Sequence, residues 1–480
     1  MSKIKRLAGE TVLYGLGSML PKFLNFLLVR LHTDVFPPEQ YGVVTKVLGY
    51  VAVLNVIYSF GMETGYFRFA TREGADERKV FNITQTVVTG ISLLFTTIFI
   101  VFATPVANLL DLPGSENVIV WIALLMFIDA IVSIPFARLR LQRKGTQFAL
   151  YRIVNIFVLI GLNIYFLKYA FDPSVGINYI FIANMIANLL YIVFFFRVLI
   201  QWRPVYDPVL SPRIFQYAYP VMITGLAGMT NEMFSRLTLD EWLPPNFYPG
   251  RSPEYAVGIF GACYKFGMFM NLTVQAFRYA AEPFFFSNAA DKNSPALFAK
   301  VNHYFIIVCC VILLGVSINM DLIKYFLGDP AYFEGIGIVP ILLLGFLFLG
   351  VYYNLSVWFK LTDRTYFGTI ITIGGAIVTV LGNYFLIPQL GYFGSSWAML
   401  ACYFTMTAAC YILGQRYYPV PYKVVPDLSY IAVTALLVWF VNSQDFNSQI
   451  VNTAFHFGVI VVYLLIVYLI EKKNFKRPAM

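Results

Sequence analysis

The stretch TVLYGLGSMLPKFLNFLLVRLHT occupies residues 11–33 and is almost entirely apolar, with Lys22 near its middle. It is long enough to cross the hydrocarbon core of a bilayer as one helix, which takes about 20 residues. A cation at that depth costs at least about 2.5 kcal/mol on insertion scales, so helices that carry one turn it toward the protein interior or a wet cavity. The stretch therefore predicts a membrane helix with one polar side.

Stretches of the same kind recur along the whole chain of 480 residues, about fourteen in all. Hydrophobic residues make up 59% of the sequence and charged residues only 12%, a composition more apolar than that of soluble domains. The predicted spans are residues 11–33, 41–60, 81–104, 118–136, 147–169, 179–200, 215–242, 255–276, 301–326, 338–359, 367–387, 395–413, 428–441 and 450–470. The sequence thus predicts an all-α polytopic membrane protein with about 14 transmembrane helices.

Lysine and arginine are concentrated in every second loop between these spans. Arg138, Arg140, Arg143 and Lys144 follow the fourth span, for example, whereas the odd-numbered loops carry mainly Asp and Glu. Because cytoplasmic loops are enriched in Lys and Arg, both termini are predicted to be cytoplasmic. The net charge of +9 comes from these dispersed loop residues and does not indicate a nucleic-acid-binding face.

The sequence contains no recognisable metal, disulfide or nucleotide site. The cysteines lie within apolar spans, the histidines lack metal-ligand spacing, and no P-loop motif occurs. We expect these residues to be buried packing residues and the protein to bind no cofactor other than a coupling ion. The residues concerned are Cys263, Cys309, Cys310, Cys402, Cys410, His32, His303 and His456.

The two halves of the sequence resemble each other. RLHTD at residues 30–34 matches RLTLD at 236–240, and NIYFL at 163–167 matches NYFLI at 383–387, which lies 220 positions later. Six spans separate the copies, which predicts parallel repeats about an axis along the membrane normal. The predicted organisation is two parallel six-helix lobes and a C-terminal transmembrane helix pair. Their limits are 1–201, 213–417 and 427–470.

The segment LGNYFLIPQLGYFGSS, residues 381–396, resembles a segment of the polysaccharide exporters, a family of the multidrug/oligosaccharidyl-lipid/polysaccharide (MOP) superfamily. The family pattern is L-N-x-x-L-I-P-x-x-G-x-x-G-A-A, from which Gly382, Ser395 and Ser396 depart. The resemblance implies a flippase of the bacterial cytoplasmic (inner) membrane. Its substrates would be undecaprenyl-diphosphate-linked oligosaccharides, moved outward by alternating access for O-antigen, capsule or exopolysaccharide assembly. It also implies partners among polysaccharide polymerases and assembly proteins.

Polar residues form stripes on two of the predicted helices. Ser18, Lys22 and Asn25 share one face of the first span, and a similar stripe in the eighth span contains Lys265 and Gln275. Buried cations of this kind predict a wet cavity for an anionic substrate, and the alternative for each is an intramembrane salt bridge or snorkelling to the interface. The candidate substrate-binding residues are Lys22, Arg30, Lys46, Arg152, Lys265, Asn25 and Gln275.

Acidic residues inside the spans are few, and a secondary carrier needs such groups to bind Na⁺ or H⁺. The ion-coupling candidates are Asp129, Glu232 and Glu63. For Asp129 a coupling role and a structural hydrogen-bonded pair are both open. Either ion would be the protein's coupling ion.

Two other functional classes compete with the flippase interpretation. A cation-coupled multidrug exporter of the same superfamily is the alternative, but it would need acidic residues in the first lobe, where Lys22, Lys46 and Arg152 are cations. A membrane enzyme would need catalytic residues outside the bilayer. The longest predicted external loop, residues 243–254, has no nucleophile–base pair, so we expect no enzymatic activity.

Overall fold

The computed structural model describes residues 3–110, 116–288, 293–444, 446 and 448–475. Over these ranges the chain forms helices and no strand, so the predicted all-α fold class is confirmed. The α-helices are α1 (Lys3–Val35), α2 (Pro38–Ser59), α3 (Met62–Ala70), α4 (Glu77–Val101), α5 (Ala103–Leu109), α6 (Glu116–Leu141), α7 (Gly145–Ile164), α8 (Asn178–Gln201), α9 (Leu210–Trp242), α10 (Pro253–Asn288), α11 (Ser294–Ile318), α12 (Met320–Ile323), α13 (Val339–Leu355), α14 (Val357–Leu361), α15 (Tyr366–Leu390), α16 (Tyr392–Tyr417), α17 (Val424–Asn442) and α18 (Gln449–Phe475). A π-helix (Tyr165–Tyr169) extends α7, and 3₁₀-helices cover Lys324–Phe326 and Pro330–Ile338.

Twelve helical segments of the described chain are long and apolar enough to cross a membrane. The first and seventh predicted spans, α1 and α9, are not among the twelve, although each helix has 33 residues. Polar residues such as Gln216 and Asn231 lower the hydropathy of α9, and Lys22 and Arg30 interrupt α1. With these two more polar helices, the number agrees with the prediction of about 14.

Contacts divide the chain into two compact units. Unit 1 contains residues 1–36 and 40–237, and unit 2 contains residues 37–39 and 238–480. Most of α9 therefore packs with unit 1, whereas the repeat in the sequence assigns this helix to the second lobe. The lobe limits remain predictions, because they follow from sequence similarity and these units follow from contacts.

The interior of unit 1 is built around α6, which contacts α3, α4, α7 and α8. Tyr58, Tyr66, Phe81 and Met126 are almost completely buried in one apolar cluster there. α6 can be buried on several sides because its residues are apolar around most of the helix, as expected for a helix enclosed by others. The few polar residues of this helix are therefore held among neighbouring helices.

The end of α1 is fixed to α7 by two polar contacts. His32 Nε2 donates a hydrogen bond to Asn163 Oδ1 at 2.8 Å, and Lys168 Nζ lies 2.6 Å from Asp34 Oδ2. His32 is buried, as expected, but it is also hydrogen-bonded and so does more than fill space. The contact matches the pairing of α1 with α7 along their length.

The segment between α8 and α9 is held against α4. Asp207 lies 2.6 Å from Lys79 Nζ and accepts hydrogen bonds from the N–H groups of Leu210 and Val209 at 2.7 and 2.8 Å. The Lys79 ammonium, helped by these N–H donors, lowers the pKa of Asp207 to about 2. Asp207 thereby satisfies orphan donors at the start of α9 and fixes its first turn to unit 1.

α9 lies close to α2 because glycines remove side chains from their contact. A Cβ added at Gly225 would lie 2.9 Å from Val56 Cγ1, and one added at Gly49 would lie 2.9 Å from Leu237 Cδ2. Real Cβ atoms do not approach this closely, so each glycine lets a side chain of the other helix reach the backbone. Small residues permit close helix approach in membrane proteins for the same reason.

In unit 2, α13 contacts α10, α11 and α16, while α15 packs on α16 and α11 carries α17 and α18. One departure from the family pattern has a structural reason in the α15–α16 contact. A Cβ at Gly382 would lie 2.9 Å from the Cβ of Ala398. Ser395 and Ser396 are fully buried, and Ser396 Oγ donates to the carbonyl of Tyr392 at 3.0 Å.

The two matched sequence segments have the same local structure. Arg143 and Asp363, 220 positions apart, both have φ of 56°, and the next N–H donates to the carbonyl five positions earlier at 2.9 and 2.8 Å. This is the Schellman turn that ends a helix. Asn163 and Asn383 are both buried, and each donates from Nδ2 to the carbonyl four positions earlier at 2.8 Å. The repeat therefore extends to individual hydrogen bonds.

We predict that Gly61→Ala destabilises the protein more than Gly74→Ala. Both glycines have positive φ, 65° and 73°, so alanine is strained at either position. Only Gly61 also faces a close neighbour, since its added Cβ would lie 2.7 Å from the carbonyl oxygen of Ala218. Thermal unfolding in detergent should place Gly74→Ala within about 1 kcal/mol of the parent and Gly61→Ala clearly beyond it. Equal effects would contradict this account of the contact.

Candidate functional site

Asp129 is the acidic residue around which a polar network forms in unit 1. Asn188 Nδ2 on α8 donates to Asp129 Oδ1 at 2.7 Å, and Asn155 Nδ2 on α7 donates to Asn188 Oδ1 at 2.9 Å. Asn55 on α2 also hydrogen-bonds the Asp129 carboxyl. We call these four residues the Asp129 network. They join four helices through one carboxyl group, and the linked hydrogen bonds polarise one another.

Arg152 lies beside this network within a group of aromatic rings. Its guanidinium Cζ is 4.2 Å from the ring centroid of Phe136 and 5.4 Å from that of Tyr191, distances at which cation–π attraction acts. Tyr191 also forms a hydrogen bond with Arg152, and Arg152 interacts electrostatically with Asp129. Arg152 and Asp129 are each partly exposed. Unit 1 thus presents an opposite-charge pair at a surface that solvent reaches.

The arrangement is suited to binding a small cation at Asp129. A carboxylate and amide oxygens are the ligands that hard cations prefer, and a carboxyl group also accepts a proton. Binding of either ion would remove the negative charge that partly compensates Arg152. The field of Arg152 would then act on an anion in the same region. The network can therefore connect occupancy by a cation to affinity for an anion.

Glu63, another coupling candidate, forms an ion pair with Arg140. Unit 2 contains the corresponding pair, Glu282 with Lys360, and Lys360 is 220 positions from Arg140. Both pairs are partly exposed and lie at the helix ends that are predicted to face the cytoplasm. The repetition favours a shared structural role, in which the pair joins two helices of each unit.

The remaining candidates occupy different environments. Lys22, Asn25 and Arg30 are exposed on α1, whereas Lys46 on α2 is only 3% exposed. Glu232 on α9 is partly exposed. These positions leave the proposed roles of the five residues as predictions.

The polar stripe predicted on the eighth span corresponds to one face of α10. Gln275 Nε2 donates to Asn271 Oδ1 at 3.1 Å, as residues four apart on a helix do. Lys265 on the same helix is partly exposed. The stripe is thus present, while its role toward a substrate remains a prediction.

Sequence reasoning did not identify Asn55, Asn155 or Asn188 as members of a site. Each is a single amide in an apolar span, and that polarity is the only signal the sequence offers. Reasoning from spacing also missed the carboxylate contacts of His303, which is buried as expected but bonded to Asp427 and Glu471. These partners lie 124 and 168 residues away, so no motif connects them.

A family model described as "Polysaccharide biosynthesis protein" matches residues 27–238. The solved structure described as "Lipid II flippase MurJ, inward closed conformation" aligns over 97% of this chain and 100% of its own, with a TM-score of 0.76 and 12% identity. The fold is that of the MOP transporters. The resemblance predicted from residues 381–396 is thereby confirmed, and the chain is a multi-pass membrane protein with a transporter fold.

Two other structures of the superfamily also align with the chain. An inward-facing MATE family multidrug resistance transporter gives a TM-score of 0.63 with 13% identity, covering 89% of this chain and 98% of its own. An outward-facing one gives 0.56 with 12% identity, covering 86% and 95%. No curated protein matches the sequence. Identities this low establish the fold, and the substrate must be argued from the residues.

We predict that Asp129→Asn abolishes the dependence of transport on an ion gradient and leaves the protein folded. Asparagine retains an acceptor for Asn188 but cannot carry the charge that binds Na⁺ or H⁺. Gradient-driven transport in proteoliposomes should fall by about tenfold, which corresponds to about 1.4 kcal/mol of coupling. Asp34→Asn, which removes a peripheral ion pair with Lys168, should transport normally. Unchanged gradient dependence in the Asp129 variant would assign this acid to structure alone.

Proposed function

We propose that this protein is a flippase that moves undecaprenyl-diphosphate-linked oligosaccharides outward across the bacterial inner membrane by alternating access. The product would serve O-antigen, capsule or exopolysaccharide assembly. The transporter fold and the match of residues 27–238 to a polysaccharide biosynthesis family support this class of substrate. The likeness to MurJ concerns the fold and leaves the glycan open.

The observation that carries the proposal is the setting of Arg152. A guanidinium offers a planar fork of donors that binds phosphate oxygens in a bidentate manner, and its charge does not titrate in proteins. Phe136 and Tyr191 hold this fork by their ring faces and keep it partly exposed. Aromatic rings also provide surfaces on which sugar rings stack. A diphosphate joined to a sugar matches both features.

Asp129 supplies a means of coupling in this proposal. While its carboxylate is ionised, it competes with the substrate diphosphate for the charge of Arg152. Binding of Na⁺ or H⁺ at Asp129 would end that competition and strengthen substrate binding, and ion release would weaken it. By linkage, the substrate must then raise the affinity for the ion by the same factor. Lys22, Arg30, Lys46 and Lys265 would contribute further positive charge.

A multidrug exporter is the second candidate, and one observation favours it. Asp129 is an acidic residue on a partly exposed surface of unit 1, where a cationic drug would require one. Arg152 beside it opposes a cationic substrate, and for this reason the flippase is the preferred proposal. The two candidates predict opposite effects of removing Arg152.

We predict that Arg152→Ala reduces transfer of a lipid-diphosphate oligosaccharide in proteoliposomes by at least about tenfold, the effect of losing about 1.4 kcal/mol of binding. Arg152→Lys should retain part of the activity because it keeps the charge and loses the fork. Arg251→Ala is the matched control, since it removes an arginine that pairs with Glu39. A cationic dye is measured in parallel. Faster dye export by Arg152→Ala, with no glycan transfer by the parent, would favour the multidrug exporter.

We also predict that Lys22→Ala and Lys265→Ala each lower glycan transfer more than they lower the amount of folded protein. Each lysine lies deep in a predicted span, where its charge is strengthened by the low dielectric and attracts a diphosphate. Lys→Arg at either position should preserve most of the transfer. Activity that falls only in step with protein level would identify both lysines as structural residues.

A further inference from the structure

His303, Asp427 and Glu471 meet in unit 2, each from a different helix. His303 on α11 contacts Asp427 Oδ1 on α17 through Nδ1, and its Nε2 lies 3.2 Å from Glu471 Oε1 on α18. Their exposed fractions are only 1%, 5% and 3%. We call these residues the His303 trio. One imidazole thus joins both helices of the C-terminal pair to α11.

The two contacts of the imidazole fix how many protons the trio holds. Each N···O contact needs one proton, because a bare ring nitrogen and a carboxylate oxygen both only accept hydrogen bonds. Two protons are therefore shared, either as an imidazolium between two carboxylates or as a neutral imidazole with one protonated carboxyl group. The net charge is −1 in both arrangements. Both ring nitrogens are occupied by carboxylates, which leaves neither for a metal ion.

Losing one of these protons would leave the trio with a charge of −2 and one contact without a proton. Two buried carboxylates without a bridging proton repel each other and lack the water that would solvate them. Tyr430 OH, which donates to Glu471 Oε1 at 3.0 Å, satisfies only part of this demand. Separation of the helices would restore hydration of the carboxylates. The packed arrangement of α11, α17 and α18 therefore depends on the second proton.

The surroundings add little charge to offset that loss. Lys423 is at the start of α17 and lines a cavity of about 830 Å³ together with His303 and Glu471. The other neighbours titrate far above neutral pH in their ordinary state or are uncharged. The titratable side chains that face the trio within the described residues are Tyr304 and Cys310 from α11, Lys423 and Tyr430 from α17, and Tyr463 from α18.

We propose that the His303 trio is a proton-binding site that fastens the C-terminal helix pair to α11 and releases it when the proton leaves. The proton passes from the Nε2···Glu471 contact to water or buffer base, and no other bond changes. Docking is complete while the trio holds both protons and is lost as the pH rises and one is removed. This site is separate from the Asp129 network and does not rest on the identity of the transported substrate.

Other contacts would confine the release to one end of α18. His456 Nδ1 lies 3.7 Å from Asp321 Oδ1 on α12, and Thr434 and Tyr463 share a hydrogen bond of 2.8 Å between α17 and α18. These groups do not contact the trio directly. α18 would therefore swing at its Glu471 end while it stays attached elsewhere, and the cavity between α17 and α18 would change shape.

Spin-label distances between α11 and α18 test the proposal. Ala296→Cys and Leu469→Cys place labels on exposed positions of the two helices, and the native cysteines are buried. We expect one short distance at about pH 6 and a longer component that grows toward about pH 10, a range that spans imidazole titration. Glu471→Gln retains both hydrogen bonds with one carboxylate, so it should keep the short distance throughout.

His456→Gln is the matched control because it changes the other histidine contact of α18, and it should retain the pH-dependent component. If Glu471→Gln does not reach the membrane, Asp427→Asn provides the same test, since it also leaves two hydrogen bonds and one carboxylate. A constant distance in the parent over the whole range would overturn the proposal. So would a pH-dependent component that persists in Glu471→Gln. The measurement uses no transported substrate, so failure of glycan transfer would leave its outcome unaffected.

Discussion

The structure depends on satisfying the few polar groups that lie inside apolar helices. Asp129 illustrates the constraint, since an isolated carboxylate in low dielectric is so costly that it must find donors, a cation or a proton. It finds donors on helices that are distant in sequence, and Arg152 adds a compensating charge. The same requirement that orders unit 1 around α6 also concentrates its reactive chemistry there. Stability and ion binding are consequently properties of one set of residues.

The spans and the fold class could be predicted from sequence because hydropathy acts through composition, which needs no knowledge of neighbours. The candidate acid Asp129 and candidate cation Arg152 were recognisable for the same reason. Their mutual proximity, and the role of Asn188, depend on which helix faces match, and that information resides in packing. α9 illustrates the opposite case, since its polar middle lowers its hydropathy although the positive-inside pattern requires it to cross.

The two repeats retain their architecture and differ in their chemistry. The Schellman turns, buried asparagines and charged pairs recur at the same spacing, because they end helices and join them. The positions 220 residues after Asp129 and Arg152 are Leu349 and Thr372, so the second copy has neither charge. Unit 2 instead carries its buried acids on the added helices α17 and α18. The internal duplication has thus supplied a frame on which each half acquired a different ionisable site.

The packing of α9 against α2 through Gly49 and Gly225 has a consequence for biosynthesis. Unit 1 includes residues up to 237, so its contacts cannot be completed when the sixth predicted span has been inserted. A nascent chain that ends in the segment after α8 exposes glycine-lined grooves of α2 and α3 to lipid. Completion must wait until α9 has left the ribosome and returned along the Asp207 segment. Insertion of the first half and its final packing are therefore separate events in time.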